Sequence, residues 1–313
     1  MRLIQLRLAM AMRENAGQAS SLSPFSGKPE TGGTPVLRQL IVNADDFGRS
    51  RSINEAVVRA HREGILTSAS LMVNEQAFAE AVALARENGK LGVGLHLTLL
   101  CGKSALPPEK IPGLVNACGE FSHRPVAAGF RYFFQRGLRE QLRAEIHAQF
   151  AKFHATGLPL DHVNGHLHLH LHPTVFRILM EDAASLGIQR LRLTRDCLSC
   201  SRRMAHGRWL YRVSHAVIYE WLSRRARQPL QQHGIRHAQI TFGLLQNARV
   251  DEEYILNLLP ELPPGDSELY SHPSLDGFKH EFEALVSPRV RERVEKLGIE
   301  LIRYQDLASD FHR

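Results

Sequence analysis

The sequence predicts an α/β fold, a distorted (β/α) barrel that is TIM-barrel-like and has seven to eight strands. Segments typical of strands and of helices alternate from Arg38 almost to the C-terminus, and this alternation favours a parallel sheet or a (β/α) barrel. The number of strand candidates, near eight, favours the barrel. Polar residues suited to metal chemistry directly follow several strand candidates, where a barrel brings side chains together on one face.

Short apolar runs bounded by turn residues predict the strands, because such runs suit the buried strands of a parallel sheet. The strand candidates are Gln39–Ala44, Thr67–Val73, Gly92–Leu99, Leu160–Leu167, Arg190–Thr194, His237–Phe242, Glu268–Ser271 and Glu300–Arg303. Between the third and the fourth, residues 101–135 predict a long excursion punctuated by Pro107-Pro108 and Pro112-Gly113. The excursion either carries substrate contacts at the barrel mouth or is a surface loop.

Helix candidates lie between the strand candidates and carry apolar residues at steps of three and four. They are Ser52–Glu63, Gln76–Asn88, Leu138–Thr156, Thr174–Leu186, Trp209–Arg227 and Pro288–Lys296. One face of the third candidate, the clearest, carries Leu138, Leu142, Ile146, Phe150 and Phe153. Gly157 is expected to end this helix, because glycine tolerates the left-handed backbone found after many helices.

Residues 1–36 are predicted to be a disordered N-terminal extension, and residues 37–313 to form the barrel domain. The stretch from Glu14 to Pro35 is rich in Gly, Ser, Pro and Thr, which bury too little apolar surface to fold. No apolar run approaches the roughly 18–20 residues that span a bilayer. The four cysteines are too few for a disulfide scaffold in a chain of this length, so a cytoplasmic protein with free thiols is expected, although Cys197 and Cys200 form a lone C-x-x-C pair.

The chain is basic, with a formal net charge of +7 at pH 7, and this charge favours anionic partners. The segment from Arg202 to Arg236 contains eight arginines and one acidic residue, with Trp209 and Trp221 among them. It predicts either a basic amphipathic helix on an anionic membrane surface or a helix packed on the barrel with solvated arginines. No nucleic-acid partner is expected, because no recognised RNA-binding signature accompanies the charge.

Two adjacent aspartates, Asp45 and Asp46, close the first strand candidate. Neighbouring residues on a strand point to opposite faces, so both can serve one site only where the strand has ended. Gly48 allows the positive φ of a turn at this place. One carboxylate could then bind a metal ion while the other takes a proton from a water. The alternative is a strand-end turn in which an aspartate caps the next helix.

Histidines follow the third and fourth strand candidates. His96 lies between two leucines in the third, and five histidines of one parity occur in and after the fourth, namely His162, His166, His168, His170 and His172. In an extended backbone these five imidazoles share one face, but residues two apart are about 7 Å apart, so one metal ion can bind only one or two of them. The others either support the site or form an adventitious metal-binding tract.

Two further side chains are candidates for the same site. His272 follows a short apolar strand and could donate a proton to a leaving amine, because an unperturbed histidine pKa lies near neutrality. Arg192 is a charge in an inward-facing strand and requires a carboxylate partner, for which Asp45 is the candidate. Two imidazoles and one carboxylate leave coordination positions for water and a substrate oxygen, which predicts a metal-dependent hydrolase. These donors suit Mg, Zn, Mn, Fe or Co without distinguishing them.

Several sequence blocks resemble the YdjC family of carbohydrate deacetylases, over most of the chain from about Leu40 to Leu307. The blocks are Asn43-Ala44-Asp45-Asp46-Phe47-Gly48, Gly64-Ile65-Leu66-Thr67-Ser68-Ala69-Ser70, Gly94-Leu95-His96-Leu97-Thr98-Leu99, His166-Leu167-His168-Leu169-His170 and Ser271-His272-Pro273. Three further segments resemble the hopanoid-biosynthesis-associated subgroup of this family known as HpnK. They are Phe133-Phe134, Gln141-Leu142-Arg143-Ala144-Glu145-Ile146 and Thr156-Gly157-Leu158-Pro159-Leu160-Asp161-His162-Val163-Asn164.

The resemblance implies a distorted (β/α) barrel that removes the acetyl group from an N-acetylated sugar with the help of one divalent metal ion. The metal ligands that it implies are Asp46, His96 and His166. The general base and the candidate general acid that it implies are Asp45 and His272. The residues left to contact these groups or the substrate are Arg192, His168 and His170.

The chain departs from the family pattern at one position. Where many relatives have Asp-Ser-His, this sequence has Asn164-Gly165-His166, which keeps the implied ligand and lacks the nearby carboxylate. If that carboxylate tunes the metal ion or an imidazole, activity or substrate choice will differ here.

The subgroup resemblance implies an N-acetylglucosamine carried by a glycosylated hopanoid lipid, and an enzyme at the inner face of the cytoplasmic membrane. Three alternatives stay open. A soluble chitooligosaccharide deacetylase would share the catalytic residues. A metal-dependent phosphoesterase would commonly use two or more metal ions. A non-catalytic sugar-binding protein would not need Asp45 beside Asp46.

Overall fold

A parallel β-sheet forms the centre of the molecule. The computed structural model describes residues 37–199 and 209–307. The strands in these residues are β1 Arg38–Phe47, β2 Ser68–Leu71, β3 Gly92–Leu97, β4 Val163–Gly165, β5 Ile240–Phe242, β6 Gly265–Ser271 and β7 Ile299–Ile302. All of their pairings are parallel, which confirms the predicted α/β class.

The strand order places β1 at the middle of the sheet. The order is β4-β3-β2-β1-β6-β5, and β7 also pairs with β1. β6 pairs with β1 from Arg38 to Ala44. β7 pairs with residues 38–41 of β1, and β2 pairs with residues 43–47, so these two strands follow one another along its other edge. The carboxyl end of β1, where the two aspartates lie, is therefore flanked by β2 and β6.

The regular strands make a curled partial barrel rather than a full TIM barrel, because the predicted strand Arg190–Thr194 is not a regular strand. This segment nevertheless lies between β4 and the chain leading to β5. Leu191 bridges to Val163, Arg190 bridges to Arg236, and the Thr241 amide donates to the Arg195 carbonyl (2.8 Å). The predicted strand therefore lies where it was expected, but it lacks the hydrogen-bond pattern of a regular strand.

Helices cover the outside of the sheet. In the described residues they are α1 Arg51–Glu63, α2 Phe78–Glu87, α3 Pro125–Phe134, α4 Leu138–His154, α5 Pro173–Glu181, α6 Ala183–Leu186, α7 Trp209–Gln232, α8 Glu252–Leu258, α9 Lys279–Val286 and α10 Pro288–Lys296. The predicted apolar face of α4 is buried along its whole length, and Gly157 adopts a φ of +73° just after this helix. Each large side chain buried in this way contributes about 1.5–3 kcal/mol.

The excursion at residues 101–135 is anchored to α4. Glu145 on α4 is fully buried and accepts hydrogen bonds from the backbone amides of Ala105 (2.7 Å) and Leu106 (3.0 Å). Gln149, one turn later, bonds both backbone groups of Thr98. These bonds satisfy backbone groups that a loose loop would leave to water, and they fix the start of the excursion against α4.

The histidine-rich run does not form the predicted extended strand. Only Val163–Gly165 is extended, and residues 166–171 form a 3-10 helix in which Leu167 and His168 have φ of 53° and 55°. This left-handed pair rotates successive side chains away from a common direction. The five imidazoles therefore do not share one face, and the prediction of an imidazole stripe is wrong.

Some expectations fall on residues that the structure does not describe. Residues 1–36 and 200–208 lie outside the described ranges, so the domain boundary at residue 37 and the first part of the basic segment stay predictions. Cys101 and Cys118 are free, but Cys197 is disulfide-bonded, so the expectation of free thiols is wrong there. None of the described helices combines the length and the apolar character needed to cross a membrane.

Candidate active site

The end of β1 turns both aspartates toward one site. The pairing of β1 with β2 is irregular between Ala44 and Phe47, and Asp46 adopts a φ of 66°. This left-handed backbone, which aspartate tolerates better than most residues, breaks the alternation that would send neighbouring side chains apart. Gly48 has a φ of 91°, as predicted, and its amide donates to the side chain of Asn54 on α1 (2.8 Å).

Asp46, His96 and His166 form a group able to hold a metal ion. One donor atom from each lies within 4.8 Å of the other two, and all three residues are buried. Oδ1 of Asp46 is 3.3 Å from Nε2 of His96 and 3.0 Å from Nδ1 of His166. A carboxylate and two imidazoles suit several divalent metals, so the residues implied by the family resemblance fit such an ion.

The electrostatics of this group also fit a cation. Burial alone would raise the pKa of Asp46, but His166 and His96 hold it well below its ordinary value. Burial opposes the charged form of His96, yet Asp45 and Asp46 together raise its pKa. The pocket therefore favours a positive charge beside two carboxylates, which a divalent cation would supply more fully than a proton.

Asn164 orients His96 from behind. Nδ1–H of His96 donates to Oδ1 of Asn164 (2.7 Å), which directs Nε2 toward Asp46. The amide nitrogen of Asn164 donates to Oδ1 of Asp45 (3.0 Å), and this acceptor fixes which way the amide points. An aspartate here would lack that donor, so the departure from the family pattern creates a direct link between the metal group and Asp45.

Arg192 holds Asp45 through two hydrogen bonds, as the sequence predicted. Nη1 donates to Oδ2 (2.7 Å) and Nη2 donates to Oδ1 (3.0 Å), and Arg192 is fully buried. Burial would raise the pKa of Asp45, but Arg192 and then His96 keep it far below its ordinary value. Asp45 is therefore ionised at neutral pH and fixed in orientation.

A second carboxylate balances the charge of Arg192. Glu268 on β6 accepts from Nε (2.9 Å) and Nη2 (2.6 Å) of Arg192, and it also accepts from the Tyr304 hydroxyl (2.5 Å). The guanidinium carbon lies 4.6 Å from the centre of the Tyr270 ring. A buried cation with two carboxylate partners is stable only as a complete network, so these residues fix Asp45 indirectly.

His272 approaches the site from the end of β6. Its side chain is 21% exposed, and its ring nitrogen Nδ1 lies 3.9 Å from Oε2 of Glu281. Glu281 is fully buried, and the same oxygen accepts from the His272 backbone amide (2.5 Å). A partly exposed imidazole beside a fixed carboxylate can present a proton to a bound molecule.

The structure places His168 and His170 outside the metal group. His168 lies 2.9 Å from the Tyr270 hydroxyl, and burial, followed by Arg192, holds its pKa well below the ordinary value. His170 donates to the backbone carbonyl of Arg192 (2.9 Å), and burial lowers its pKa to about 3. Both are therefore neutral imidazoles, of which His168 borders the cavity and His170 supports the backbone of Arg192.

A cavity of about 720 Å³ opens above these residues. Its floor includes Asp45, His96, His166 and His272, and its walls are largely apolar side chains from α3 and α7. The volume matches that of a typical small-molecule site. The excursion at residues 101–135 thus contributes α3 to the wall of the cavity, while its role in substrate contact stays a prediction.

Three contributors to the site were not foreseen from the sequence. Glu268 and Glu281 were not recognised, because no local sequence pattern indicates their pairing with Arg192, 76 residues away, and with His272, 9 residues away. The apolar wall from α3 was also missed, because residues 101–135 were interpreted as an excursion with no predicted helix, whereas Pro125–Phe134 is helical. Alternation along β6 could have suggested Glu268, which has the same parity as Tyr270 and His272 and precedes both.

Comparison with known proteins gives matches along most of the chain. The family model described as YdjC-like protein matches residues 39–296. A carbohydrate deacetylase from Brevibacillus brevis is 42% identical over 143 residues, which is 46% of this chain and 54% of that protein. A chitooligosaccharide deacetylase from Proteus mirabilis is 39% identical over 150 residues, again 46% of this chain and 54% of that protein. The chain thus spans about half the length of these curated relatives.

One solved structure is similar over nearly the whole described fold. It is a crystal structure from Enterococcus faecalis V583 of a protein named for cellobiose-phosphate cleavage. The TM-score is 0.68 and the sequence identity is 25%, with 87% of this chain and 99% of that chain covered. The similarity supports the curled, parallel α/β sheet described above.

Proposed function

The chain belongs to the YdjC-like protein family, and from this premise we propose that it is a metal-dependent carbohydrate N-deacetylase. Its reaction would remove the acetyl group from an N-acetylglucosamine-type sugar and release acetate and a free amino sugar. One observation carries the proposal: the ionised, Arg192-held carboxylate of Asp45 adjoins the metal group of Asp46, His96 and His166 on the floor of one cavity.

In the proposed mechanism Asp45 takes a proton from the attacking water. Its low pKa keeps it ionised, but it also makes Asp45 a weak base that needs an acidified donor. A divalent cation bound by the metal group would supply this acidification, and it would polarise the acetamide carbonyl. Arg192 keeps the carboxylate from rotating, so that the proton acceptor stays aligned with the water.

His272 is proposed to complete the reaction by protonating the departing amine. An amine leaves poorly without a proton. His272 directly follows β6 and borders the cavity, so it is placed to supply that proton. Glu281 holds the His272 backbone and lies near its ring, which restricts where the imidazole can point. His168, neutral and exposed to the cavity, is proposed to contact the sugar.

The proposed substrate is an N-acetylglucosamine carried by a glycosylated hopanoid lipid, as in the HpnK-like subgroup. The apolar walls from α3 and α7 support this choice, because a sugar alone would leave them without a partner. Such a substrate would bring the enzyme to the inner face of the cytoplasmic membrane. A soluble chitooligosaccharide deacetylase is the second candidate, supported by the similarity to the Proteus mirabilis protein.

The hydrolase class is tested with the whole chain loaded separately with Zn, Mn, Co or Mg. We expect acetate release from diacetylchitobiose or a lipid-linked N-acetylated sugar, no phosphate release from para-nitrophenyl phosphate, and one cation per chain. One cation is expected because the described residues contain one three-donor group. Phosphate release with two cations per chain would instead establish a phosphoesterase, and cation binding without either product would indicate a sugar-binding protein.

A further inference from the structure

The mouth of the cavity is surrounded by exposed apolar side chains on two helices. We name these residues the apolar rim: Val126, Phe130, Phe133 and Phe134 on α3, and Ile218 and Trp221 on α7. Their exposed fractions range from 51% to 74%. All six border the cavity, so the two helices present one continuous surface around its opening.

The rim on α3 is the outward face of a helix whose other face is already packed. Ala128 and Tyr132 are buried, and the Tyr132 hydroxyl donates to the Leu99 carbonyl (3.0 Å). The three phenylalanines contact one another instead of the core, with ring centres of Phe133 and Phe134 4.9 Å apart. A helix fixed in this way cannot bury its aromatic face by a small rotation. An exposed apolar surface of this kind is typical of a site that binds an external partner.

Positive charge lies beside this apolar surface. Residues 121–139 contain four arginines and no acidic residue, and Arg124, Arg131 and Arg136 are exposed. On α7 the Arg225 guanidinium lies 4.9 Å from the centre of the Trp221 ring. Aromatic side chains flanked by arginines match the interface of an anionic bilayer, where rings lie at headgroup depth and cations contact phosphate.

We propose that α3 and α7 together form a docking face for an anionic phospholipid bilayer, with the cavity mouth turned toward the lipid. The sequence pointed to α7 alone, whereas the structure adds α3, on which Phe130, Phe133 and Phe134 are exposed. In one respect this docking face rests on the proposed function: a lipid-linked sugar could reach Asp45 without leaving the membrane surface. Lipid binding itself requires no catalysis.

A second copy of the chain is a poorer occupant of this face. Two identical faces would bring exposed Arg124, Arg131 and Arg136 of one copy close to those of the other, residues 121–139 contain no acidic residue, and the whole chain carries a net charge of +7. Like charges brought into contact repel one another, whereas anionic headgroups neutralise them. The positive charge of the face therefore favours an anionic bilayer over a second copy of the chain as its partner.

The docking face is tested by co-sedimentation of the full chain with vesicles. We expect binding to phosphatidylcholine vesicles that contain phosphatidylglycerol, weaker binding to pure phosphatidylcholine, and release at high salt. The two tryptophans of the chain, Trp209 and Trp221, both lie on α7. Lipids brominated on their acyl chains should therefore quench the intrinsic fluorescence of the bound protein.

Variants separate the rim from the remainder of the surface. Phe133→Ser with Phe134→Ser should weaken vesicle binding roughly tenfold or more, since two large apolar groups are removed from the interface. Leu37→Ser is the matched control, because Leu37 is 57% exposed and precedes β1, at the strand end away from the site. This control should bind as the wild type does.

Charge variants test the arginines in the same assay. Arg124→Gln with Arg136→Gln should weaken binding about 25-fold, at about fivefold for each cation near the surface. Lys90→Gln with Lys296→Gln removes the same charge from exposed positions that precede β3 and β7, and it should leave binding unchanged. Asp45→Asn should also bind normally, so a failure of the proposed catalysis is distinguishable from a failure of docking.

Two results would overturn the proposal. The first is equal sedimentation of the wild type and both α3 variants with anionic vesicles. The second is a wild-type dimer in gel filtration that dissociates in the Phe133→Ser, Phe134→Ser variant and does not bind vesicles, which would make the face a contact between copies.

Discussion

Asp45→Asn is expected to lower kcat for acetate release by about a hundred- to ten-thousandfold, the usual contribution of a positioned general base. Asparagine keeps the size of the side chain and removes the proton acceptor. Asp46, His96 and His166 are unchanged, so the cation should remain bound at one per chain. Product analysis and elemental analysis of the same preparation measure both quantities.

Folding of the Asp45→Asn protein must be verified, because the substitution removes one partner of buried Arg192. Glu268 still contacts the guanidinium, so we expect a lower melting temperature with a cooperative transition. Glu292→Gln, a carboxylate-to-amide change at an exposed position on α10, is the control and should keep wild-type turnover. Wild-type rates in Asp45→Asn would show that another group accepts the proton.

His166→Ala is expected to lose the cation and, with it, all measurable turnover. His166 supplies one of three donors, and its Nδ1 lies 3.0 Å from the Asp46 carboxylate. Loss of a residue that only hydrogen-bonds to a metal ligand lowers metal affinity roughly 10- to 100-fold. Loss of the ligand itself should lower the affinity for the cation by more than this. Chelator competition followed by elemental analysis measures the change.

His168→Ala is the matched control for cation binding. His168 lies two residues from His166 but contacts Tyr270 instead of the metal group, so its loss should leave one cation per chain. It can still alter KM, because His168 borders the cavity. Full cation content in His166→Ala, with loss of the cation in His168→Ala, would transfer the ligand role to His168.

The positions of Asp45, Asp46 and His96 could be predicted from the sequence, because strand ends and turns are determined by nearby residues. Asp45 and Asp46 end a strand, Gly48 permits the turn, and His96 belongs to an apolar strand. Parallel strands deliver their carboxyl-terminal residues to one edge, so these groups had to meet. The positive φ of Asp46 completes the arrangement by directing two neighbouring carboxylates into one site.

The histidine-rich run could not be predicted in the same way. Its alternating pattern fits an extended strand, but β4 ends at Gly165 and a left-handed pair follows at Leu167 and His168. The contact of His170 with the Arg192 carbonyl is a tertiary bond that periodicity does not encode. The local pattern did not distinguish among the five histidines; the family resemblance implied His166 as the metal ligand, and the contacts of its neighbours depend on distant residues.

The exposure of the α3 phenylalanines could not be predicted from the sequence. Aromatic residues in a helix ordinarily predict burial, yet Phe130, Phe133 and Phe134 are more than half exposed. Tyr132 takes the buried position by bonding the Leu99 carbonyl, which leaves the phenylalanines on the outer face. Only the packed fold shows that this face opens onto the cavity that contains Asp45.

Acetate release is the direct measure of the proposed deacetylation. The cation-loaded full chain would be incubated with N-acetylglucosaminyl hopanoid and, separately, with diacetylchitobiose, with Asp45→Asn as the control. We expect the wild type to release acetate from the lipid-linked sugar and the Asp45→Asn variant to release none. Release from diacetylchitobiose alone would keep the deacetylase and remove the hopanoid substrate, whereas no release from either substrate by cation-bound protein would contradict the proposed function.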